Sequence, residues 1–169
     1  MRFFTLSTLV FIAVAAAQPM LMSRDDTCYP NFKGATIAIS GRDGTYRPPN
    51  GNSNTMWSWH VEQNGQWPPG YIMKDITTGQ ALTQAAGGSL FMIDPYLSGP
   101  YVSSQSFAIA CATCDPNADS GPERAVASRC TIMPQSKDNF CLTASGENYL
   151  VAHPCTGGDD QYFTFATFN

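Results

Sequence analysis

The apolar residues of this chain fall in short runs that alternate with turn-forming residues. From Cys28 onward, runs of four to seven residues are separated by Gly, Pro, Asn and Ser, and none keeps the spacing of an amphipathic helix. Runs of this length between turn residues are typical of β-strands. The pattern predicts an all-β fold.

The strand pattern also repeats. The segments 105–109 and 161–165 both begin with Gln, place Phe third and place an apolar residue fifth, and the segment 55–59 has Trp at the same two places. Alternate residues of a strand face one side, so the third residue of each segment is expected in a shared core. These residues are Trp57, Phe107 and Phe163.

A second spacing recurs upstream of these segments. In each unit one apolar residue follows another after ten positions, in the pairs Tyr29 and Ile39, Ile72 and Leu82, and Ile132 and Leu142. Units of about four short strands cannot bury their apolar faces alone, whereas three together can close a barrel without free edges. The sequence therefore predicts three units, at about 28–62, 71–111 and 130–167.

The residues before Cys28 have a different character. Arg2 precedes an apolar run at 6–16 that is too short to span a bilayer, and alanines at 15–17 form a cleavage signal. We expect a secreted, extracellular protein without a membrane anchor. The predicted division is a signal peptide at 1–17, a flexible leader at 18–27 and a single domain at 28–169.

Charge and side-chain chemistry argue against several classes of function. The net charge is −4 and the nine Lys and Arg residues are scattered, so nucleic acid and anionic membranes are poor partners. Neither His60 nor His153 stands beside a nucleophile, and the adjacent carboxylates at 25–26 and 159–160 would face opposite ways. We predict a protein that is not an enzyme, with no cofactor and no metal.

The six cysteines of a secreted chain indicate disulfide bonds. Cys111 and Cys114 have the C-x-x-C spacing of a zinc site or a thioredoxin-like redox site. No second C-x-x-C pair and no helix signal accompany them, so structural disulfides are the stronger interpretation. The predicted disulfide cysteines are Cys28, Cys111, Cys114, Cys130, Cys141 and Cys155.

The ends of the last two units resemble a known family. The Gln-x-Phe motifs at Gln105 and Gln161 resemble the Gln-x-Trp signature of ricin B-type β-trefoil lectins. The segment from Cys141 to Cys155 resembles the disulfide-bonded loop of a repeat in that family. The chain is also similar to small secreted proteins of basidiomycete fungi whose motifs are degenerate. The resemblance covers 28–168, and it implies a β-trefoil fold and a carbohydrate-binding function.

The resemblance also implies which residues would bind sugar. In the family, an aromatic ring stacks on the pyranose and a carboxylate binds two of its hydroxyls. The last unit offers His153 at the stacking position, with Asp160 and Gln161 at the polar position. In the middle unit Asp94 lies near the stacking position, where a carboxylate cannot stack on a sugar. The usual Asp is replaced in every unit, by Ser40, Thr83 and Thr143, so weak carbohydrate binding is expected.

The resemblance implies one disulfide, between Cys141 and Cys155. The other four cysteines allow three pairings. Among these we favour Cys114 with Cys130, across a polar loop, and Cys28 with Cys111, which would attach the N-terminal strand.

Other functions stay open. The loops at 42–54 and 96–104 are long, polar and rich in Pro and Gly, which suits a trefoil that binds an extracellular protein through its loops, such as a protease inhibitor. Trp67, in a Pro-rich turn, is either an exposed contact for sugar or protein or a cap on the barrel mouth. A scaffold whose sugar sites have decayed is a third possibility.

Overall fold

The computed structural model describes residues 27–46, 48–49, 58–65, 67–96, 98–99, 102–116, 118, 124–146 and 149–167. These residues form β-strands and short 3-10 turns and contain no α-helix, which confirms the all-β prediction. The 3-10 turns are Val102–Gln105 and Asp159–Gln161. The strands are β1 (Thr36–Gly41), β2 (Gly44–Tyr46), β3 (Trp59–Gln63), β4 (Tyr71–Asp75), β5 (Ala81–Gln84), β6 (Leu90–Ile93), β7 (Phe107–Ala110), β8 (Thr113–Cys114), β9 (Arg124–Pro134), β10 (Phe140–Ala144), β11 (Leu150–Pro154) and β12 (Phe163–Thr167).

Six of the strands close a barrel. Going round it, β1 pairs with β3, β3 with β4, β4 with β7, β7 with β9, β9 with β12 and β12 with β1, always antiparallel. Off this ring, β5 pairs with β6 and β10 with β11 as two hairpins, and β2 pairs with β1. Closure gives every barrel strand a neighbour on both edges, so the barrel has no free edge.

The register of the barrel shows three units of one design. The first residue of the last strand in each unit is aromatic and pairs with the first strand of the same unit. The three pairs are Trp59 with Ile37, Phe107 with Tyr71, and Phe163 with Cys130. This three-fold pseudosymmetry is that of a β-trefoil.

The core fills the barrel with the aromatic residues of that register. Trp59 and Phe107 are fully buried, and Phe163 is only 1% exposed. The indole Nε1 of Trp59 donates a hydrogen bond of 3.0 Å to the carbonyl of Tyr46, so burial leaves this donor satisfied. Burying each ring stabilises the fold by about 1.5–3 kcal/mol. The core prediction is confirmed for Phe107 and Phe163.

The register corrects the prediction for the first unit. Trp57 lies outside the described residues, and Trp59 occupies the position that matches Phe107. Ile39, two residues after Ile37, matches Met73 in the first strand of its unit, not Leu82 in the second. Side chains alternate with a period of two, so an alignment shifted by two residues keeps every apolar residue on the same face. The ten-residue spacing was therefore coincidental in this unit.

Three disulfides are present, and all six cysteines take part. Cys141 is bonded to Cys155, as predicted. The two favoured pairings of the other cysteines, Cys28–Cys111 and Cys114–Cys130, are wrong. The observed bonds are Cys28–Cys114 and Cys111–Cys130.

Strand register explains the observed pairing. Ala110 pairs with Thr131, so the next residues in the two strands, Cys111 and Cys130, are direct neighbours. Cys114 lies opposite Ala127, three residues away from Cys130. Cys28 does bond Cys111 through both backbone groups, at 2.9 Å each, so the N-terminal segment is attached beside Cys111 although its sulfur bonds Cys114.

The predicted signal peptide at 1–17 and all but the last residue of the predicted leader lie outside the described residues. Within the described part of the chain, no helix is long and apolar enough to cross a membrane. Three disulfides in a small β domain fit an extracellular protein.

Candidate functional site

A buried glutamine joins the last strand of the third unit to the hairpin before it. Gln161 ends a 3-10 turn and is only 2% exposed. Its Nε2 donates to Thr143 Oγ1 at 3.0 Å and to the carbonyl of Pro154 at 2.9 Å. Its Oε1 accepts from the backbone N–H of Thr156 at 2.7 Å. The amide is thus fully engaged inside the protein.

Gln105 repeats this clamp in the second unit. Its Nε2 donates to Thr83 Oγ1 at 3.0 Å and to the carbonyl of Asp94 at 3.1 Å, and its Oε1 accepts from the N–H of Tyr96 at 2.7 Å. Gln105 is 1% exposed. The glutamine of the Gln-x-Phe motif therefore holds the hairpin to the barrel in both units.

The threonines at the expected Asp positions are partners of these glutamines. Thr83 and Thr143 are 2% and 7% exposed, and each hydroxyl donates to the carbonyl two residues earlier. Neither faces open solvent. Ser40 was wrongly matched to them: it lies in β1, the first strand of its unit, whereas Thr83 and Thr143 lie in the second strands, β5 and β10. The Ser40 hydroxyl donates to the carbonyl of Thr164 at 3.5 Å.

The other two residues predicted to bind sugar face different neighbours. Burial raises the pKa of the Tyr46 phenol, and the nearby charges of Asp43 and Asp160 add to this, so Asp160 lies toward the first unit. His153 is exposed on β11 and faces the turn between β5 and β6 in the second unit. Within the described residues no hydrogen bond or ion pair joins His153, Asp160 and Gln161, and their role in binding stays a prediction.

His153 lines a groove of about 450 Å³ between β11 and the β5–β6 turn. The turn contacts the strand through a hydrogen bond of 3.0 Å from the N–H of Ala152 to the carbonyl of Gly88. Gly88 has a φ of +88°, and a Cβ there would lie 2.7 Å from the Ala152 carbonyl oxygen, so only glycine fits this contact. The groove is lined by Pro49, 87–90 and 149–153.

The outer face of β11 and the residue before it supply three side chains to the groove. Leu150 and Ala152 are buried, while the alternating residues Tyr149, Val151 and His153 point outward. Tyr149 is 51% exposed. Tyr149 was not singled out from the sequence. Alternate residues of a strand share a face, so Tyr149, four residues before His153, is expected on the same face as His153.

The neighbouring strand β10 is covered on this face. The Cys141–Cys155 disulfide and the Gln161 clamp on Thr143 bring the segment after β11 across β10. β11 pairs with β10 along one edge, and its other edge faces the groove. The outer face of this hairpin is therefore accessible only along β11.

The second unit has a different set of residues at the matching places. Pairing within the two hairpins matches Tyr149 with Ser89, Val151 with Phe91 and His153 with Ile93. Ile93, not Asp94, therefore stands at the stacking position, and Asp94 instead corresponds to Pro154, since both carbonyls accept from the clamp glutamine. Of these two units, only the third combines an aromatic ring with an imidazole.

Trp67 lies at another part of the surface. It is 81% exposed in the turn between β3 and β4, so it does not cap the barrel mouth. The edge of one ring contacts the face of the other in the Tyr29–Trp67 pair, whose centroids are 5.0 Å apart. Asn64 closes the turn, with its N–H donating to the Gly70 carbonyl at 2.9 Å and its Oδ1 accepting from the Gly70 N–H at 3.0 Å.

The described residues contain no group of three or more His, Cys, Asp or Glu side chains that could hold a metal ion. The loops at 42–54 and 96–104 fall partly outside the described residues. The Trp67 turn and the β11 groove carry the two most exposed aromatic side chains of the described residues, Trp67 and Tyr149.

Comparison with known proteins agrees with the fold. A β-trefoil called BEL, in an apo crystal form, superposes with a TM-score of 0.55 at 15% identity, covering 83% of this chain and 97% of that one. The designed three-fold symmetric protein ThreeFoil superposes with a TM-score of 0.53 at 13% identity, covering 79% and 99%. No family model and no curated protein sequence matches the chain. At these identities the likeness shows the β-trefoil fold alone.

Proposed function

We propose that this protein is a secreted, non-catalytic carbohydrate-binding module, related to the ricin B-type trefoils, whose binding site is the groove along β11. The observation that carries the proposal is the pair of exposed rings, Tyr149 and His153, on the open strand of the third unit. The resemblance of the Gln-x-Phe motifs and of the Cys141–Cys155 loop supports the same class. The disulfides and the predicted signal peptide support secretion.

The groove has the chemistry of a weak sugar site. The exposed face of Tyr149 can take the apolar face of a pyranose, and its hydroxyl can bond a sugar hydroxyl. His153 adds a second ring with two nitrogen atoms. No carboxylate from the described lining binds two hydroxyls at once, so the expected dissociation constant is on the order of 0.1–1 mM.

A glycan array followed by calorimetry of the best ligands tests the proposal. Tyr149→Ala and His153→Ala should each weaken binding about tenfold or more, which corresponds to about 1.4 kcal/mol. Ile76→Ala is the matched control, since Ile76 is 48% exposed and does not line the groove, and it should bind as the wild type does.

Two results would contradict this assignment. An array without any bound glycan would remove the carbohydrate class. Binding that is lost in Asp160→Ala but kept in Tyr149→Ala would move the site to the side of the hairpin that faces the first unit.

A protein partner is the second candidate, favoured by the Trp67 turn. A tryptophan 81% exposed and supported by Tyr29 is the kind of side chain that anchors protein interfaces. Inhibition of a panel of serine and cysteine proteases tests this class. Inhibition that disappears in Trp67→Ala and persists in Tyr149→Ala would favour it, whereas no inhibition at micromolar protein would count against a protease target.

A further inference from the structure

We propose that the β11 groove binds an internal segment of a neutral oligosaccharide chain lying along the strand, and not a single terminal sugar. This inference rests on the proposed carbohydrate-binding function and specifies its ligand. It follows from the spacing of the side chains that line the groove and from the charge of that lining.

The two rings of the groove are too far apart for one sugar. Tyr149 and His153 are separated by four strand steps of about 3.3 Å, so their Cα atoms lie roughly 13 Å apart. One pyranose stacked on Tyr149 cannot also contact His153. A ligand that uses both rings therefore needs at least three linked sugars, with the middle one over Val151.

The backbone edge of β11 offers polar contacts along the same line. The N–H of Ala152 points away from β10, because it donates to the carbonyl of Gly88. By strand alternation the N–H and C=O of Leu150 point the same way. These two groups of Leu150 can bond hydroxyl or acetamido groups of a chain that runs from Tyr149 past Val151.

The lining also selects for a neutral chain. Apart from the imidazole of His153, the described residues around the groove carry no ionisable side chain except the Tyr149 phenol. The described lining contains no Lys or Arg to pair with uronate or sulfate groups, and the whole chain carries a net charge of −4. Polyanionic chains are therefore disfavoured.

The second unit does not repeat the site. Its matching residues Ser89, Phe91 and Ile93 lack the second ring and all but one polar group. Between the two units that can be compared, a dependence of affinity on chain length would then arise within the one groove of the third unit and not from a second site. The expected stoichiometry is one chain per protein.

Calorimetry with ladders of neutral oligosaccharides tests the inference. The probes are the cello-, chito-, laminari- and manno-oligosaccharides, each from the monosaccharide to the hexasaccharide, with oligogalacturonides as the charged comparison. In the series that binds, affinity should rise about tenfold or more from monosaccharide to trisaccharide and then level off. Tyr149→Ala and His153→Ala should each remove most of that gain, and Ile76→Ala should keep it.

The possible outcomes distinguish a failure of the chain inference from a failure of the proposed carbohydrate binding. A monosaccharide that binds as tightly as its trisaccharide overturns the chain inference and leaves carbohydrate binding standing. Tighter binding of oligogalacturonides than of every neutral series overturns the preference for neutral chains. If no member of any series binds at millimolar concentration, both the inference and the proposed function are overturned. Urea unfolding of each variant checks that a lost affinity does not reflect a lost fold.

Discussion

Replacing the buried Gln161 by Leu distinguishes a role in ligand binding from a role in stabilising the fold. The resemblance to lectins implies a ligand contact, whereas the structure gives it three strong hydrogen bonds to the protein, of 2.7, 2.9 and 3.0 Å. Gln161→Leu puts an apolar side chain of similar size in place of the amide. It removes all three bonds, together with the two longer ones of 3.2 Å that Oε1 accepts from the Thr156 hydroxyl and the Gly157 N–H. Its effect on stability measures the clamp, and its effect on ligand affinity measures any direct contact.

The structure sets the size of the expected effect. A hydrogen bond within a protein contributes about 1 kcal/mol net, so three lost bonds give a loss of about 3 kcal/mol in the free energy of unfolding. Two of the groups left behind, the carbonyl of Pro154 and the N–H of Thr156, belong to exposed residues that water can reach, so no further loss is added to this value. A domain of this size loses about 2–4 °C in Tm per kcal/mol, so a fall of roughly 6–12 °C is expected.

Urea unfolding with the disulfides intact is the suitable assay, because both states then carry the same covalent links. Fluorescence of the buried Trp59 reports the transition. Gln105→Leu is the matched variant in the second unit, where the three bonds measure 2.7, 3.0 and 3.1 Å, and it should lose a similar amount. The two losses should add in the double variant, since the residues share no partner.

If Gln161→Leu lowers the free energy of unfolding by less than about 1 kcal/mol, the three hydrogen bonds of Gln161 do not stabilise the fold as expected. At temperatures where the variant is folded, its affinity for oligosaccharide should equal that of the wild type, because Gln161 is only 2% exposed. A variant that stays stable but no longer binds would restore the ligand role implied by the resemblance.

Three further predictions follow from the described residues. Burial raises the pKa of Tyr71 to about 12, although a hydrogen bond with Gln63 lowers it. Since this pKa is above the unfolded value of about 10, the stability that Tyr71 contributes is present below pH 10 and is lost as the pH rises to 12. The difference in urea midpoint between wild type and Tyr71→Phe should therefore shrink over that interval. Replacing both Cys28 and Cys114 by Ser should lower the free energy of unfolding by about 4–5 kcal/mol, because that bond spans 86 residues. Replacing both Cys141 and Cys155 should lower it by about 3 kcal/mol, because that bond spans 14. Equal losses in urea unfolding would contradict this order. Non-reducing peptide mapping should recover the Cys111–Cys130 link and not a Cys114–Cys130 link.

The sequence predicted the features that depend on local pattern. Short apolar runs between turn residues predicted strands, and the repeated Gln-x-Phe motif predicted the buried Phe107 and Phe163. The choice of Trp57 over Trp59 failed because a shift of two residues leaves strand alternation unchanged. The pairing of Cys111 failed because its neighbour is set by the register between β7 and β9, which no local pattern encodes.

The candidate site was harder to predict because one motif serves two purposes. Gln161 looks like part of a sugar site in the sequence, and only its burial and its bonds to Thr143 and Pro154 reveal the clamp. His153 was found through the resemblance. Tyr149 was missed because it lies one residue before β11 and has Ser89 as its counterpart in the second unit, so comparison of repeats does not single it out.

The threonine at the usual Asp position suits the clamp better than an aspartate would. The hydroxyl of Thr143 accepts from Gln161 Nε2 and also donates to the carbonyl of Cys141 at 3.3 Å. An ionised carboxylate can only accept, so it could not donate to that carbonyl, and it would bury a charge at a position 7% exposed. The position that would serve sugar binding in a lectin repeat is thus used for stability on β10, and under the proposed function the binding in this unit would be confined to the open face of β11. Thr143→Asp should accordingly destabilise the fold without strengthening binding, and a variant that gained affinity at unchanged stability would contradict this division of roles.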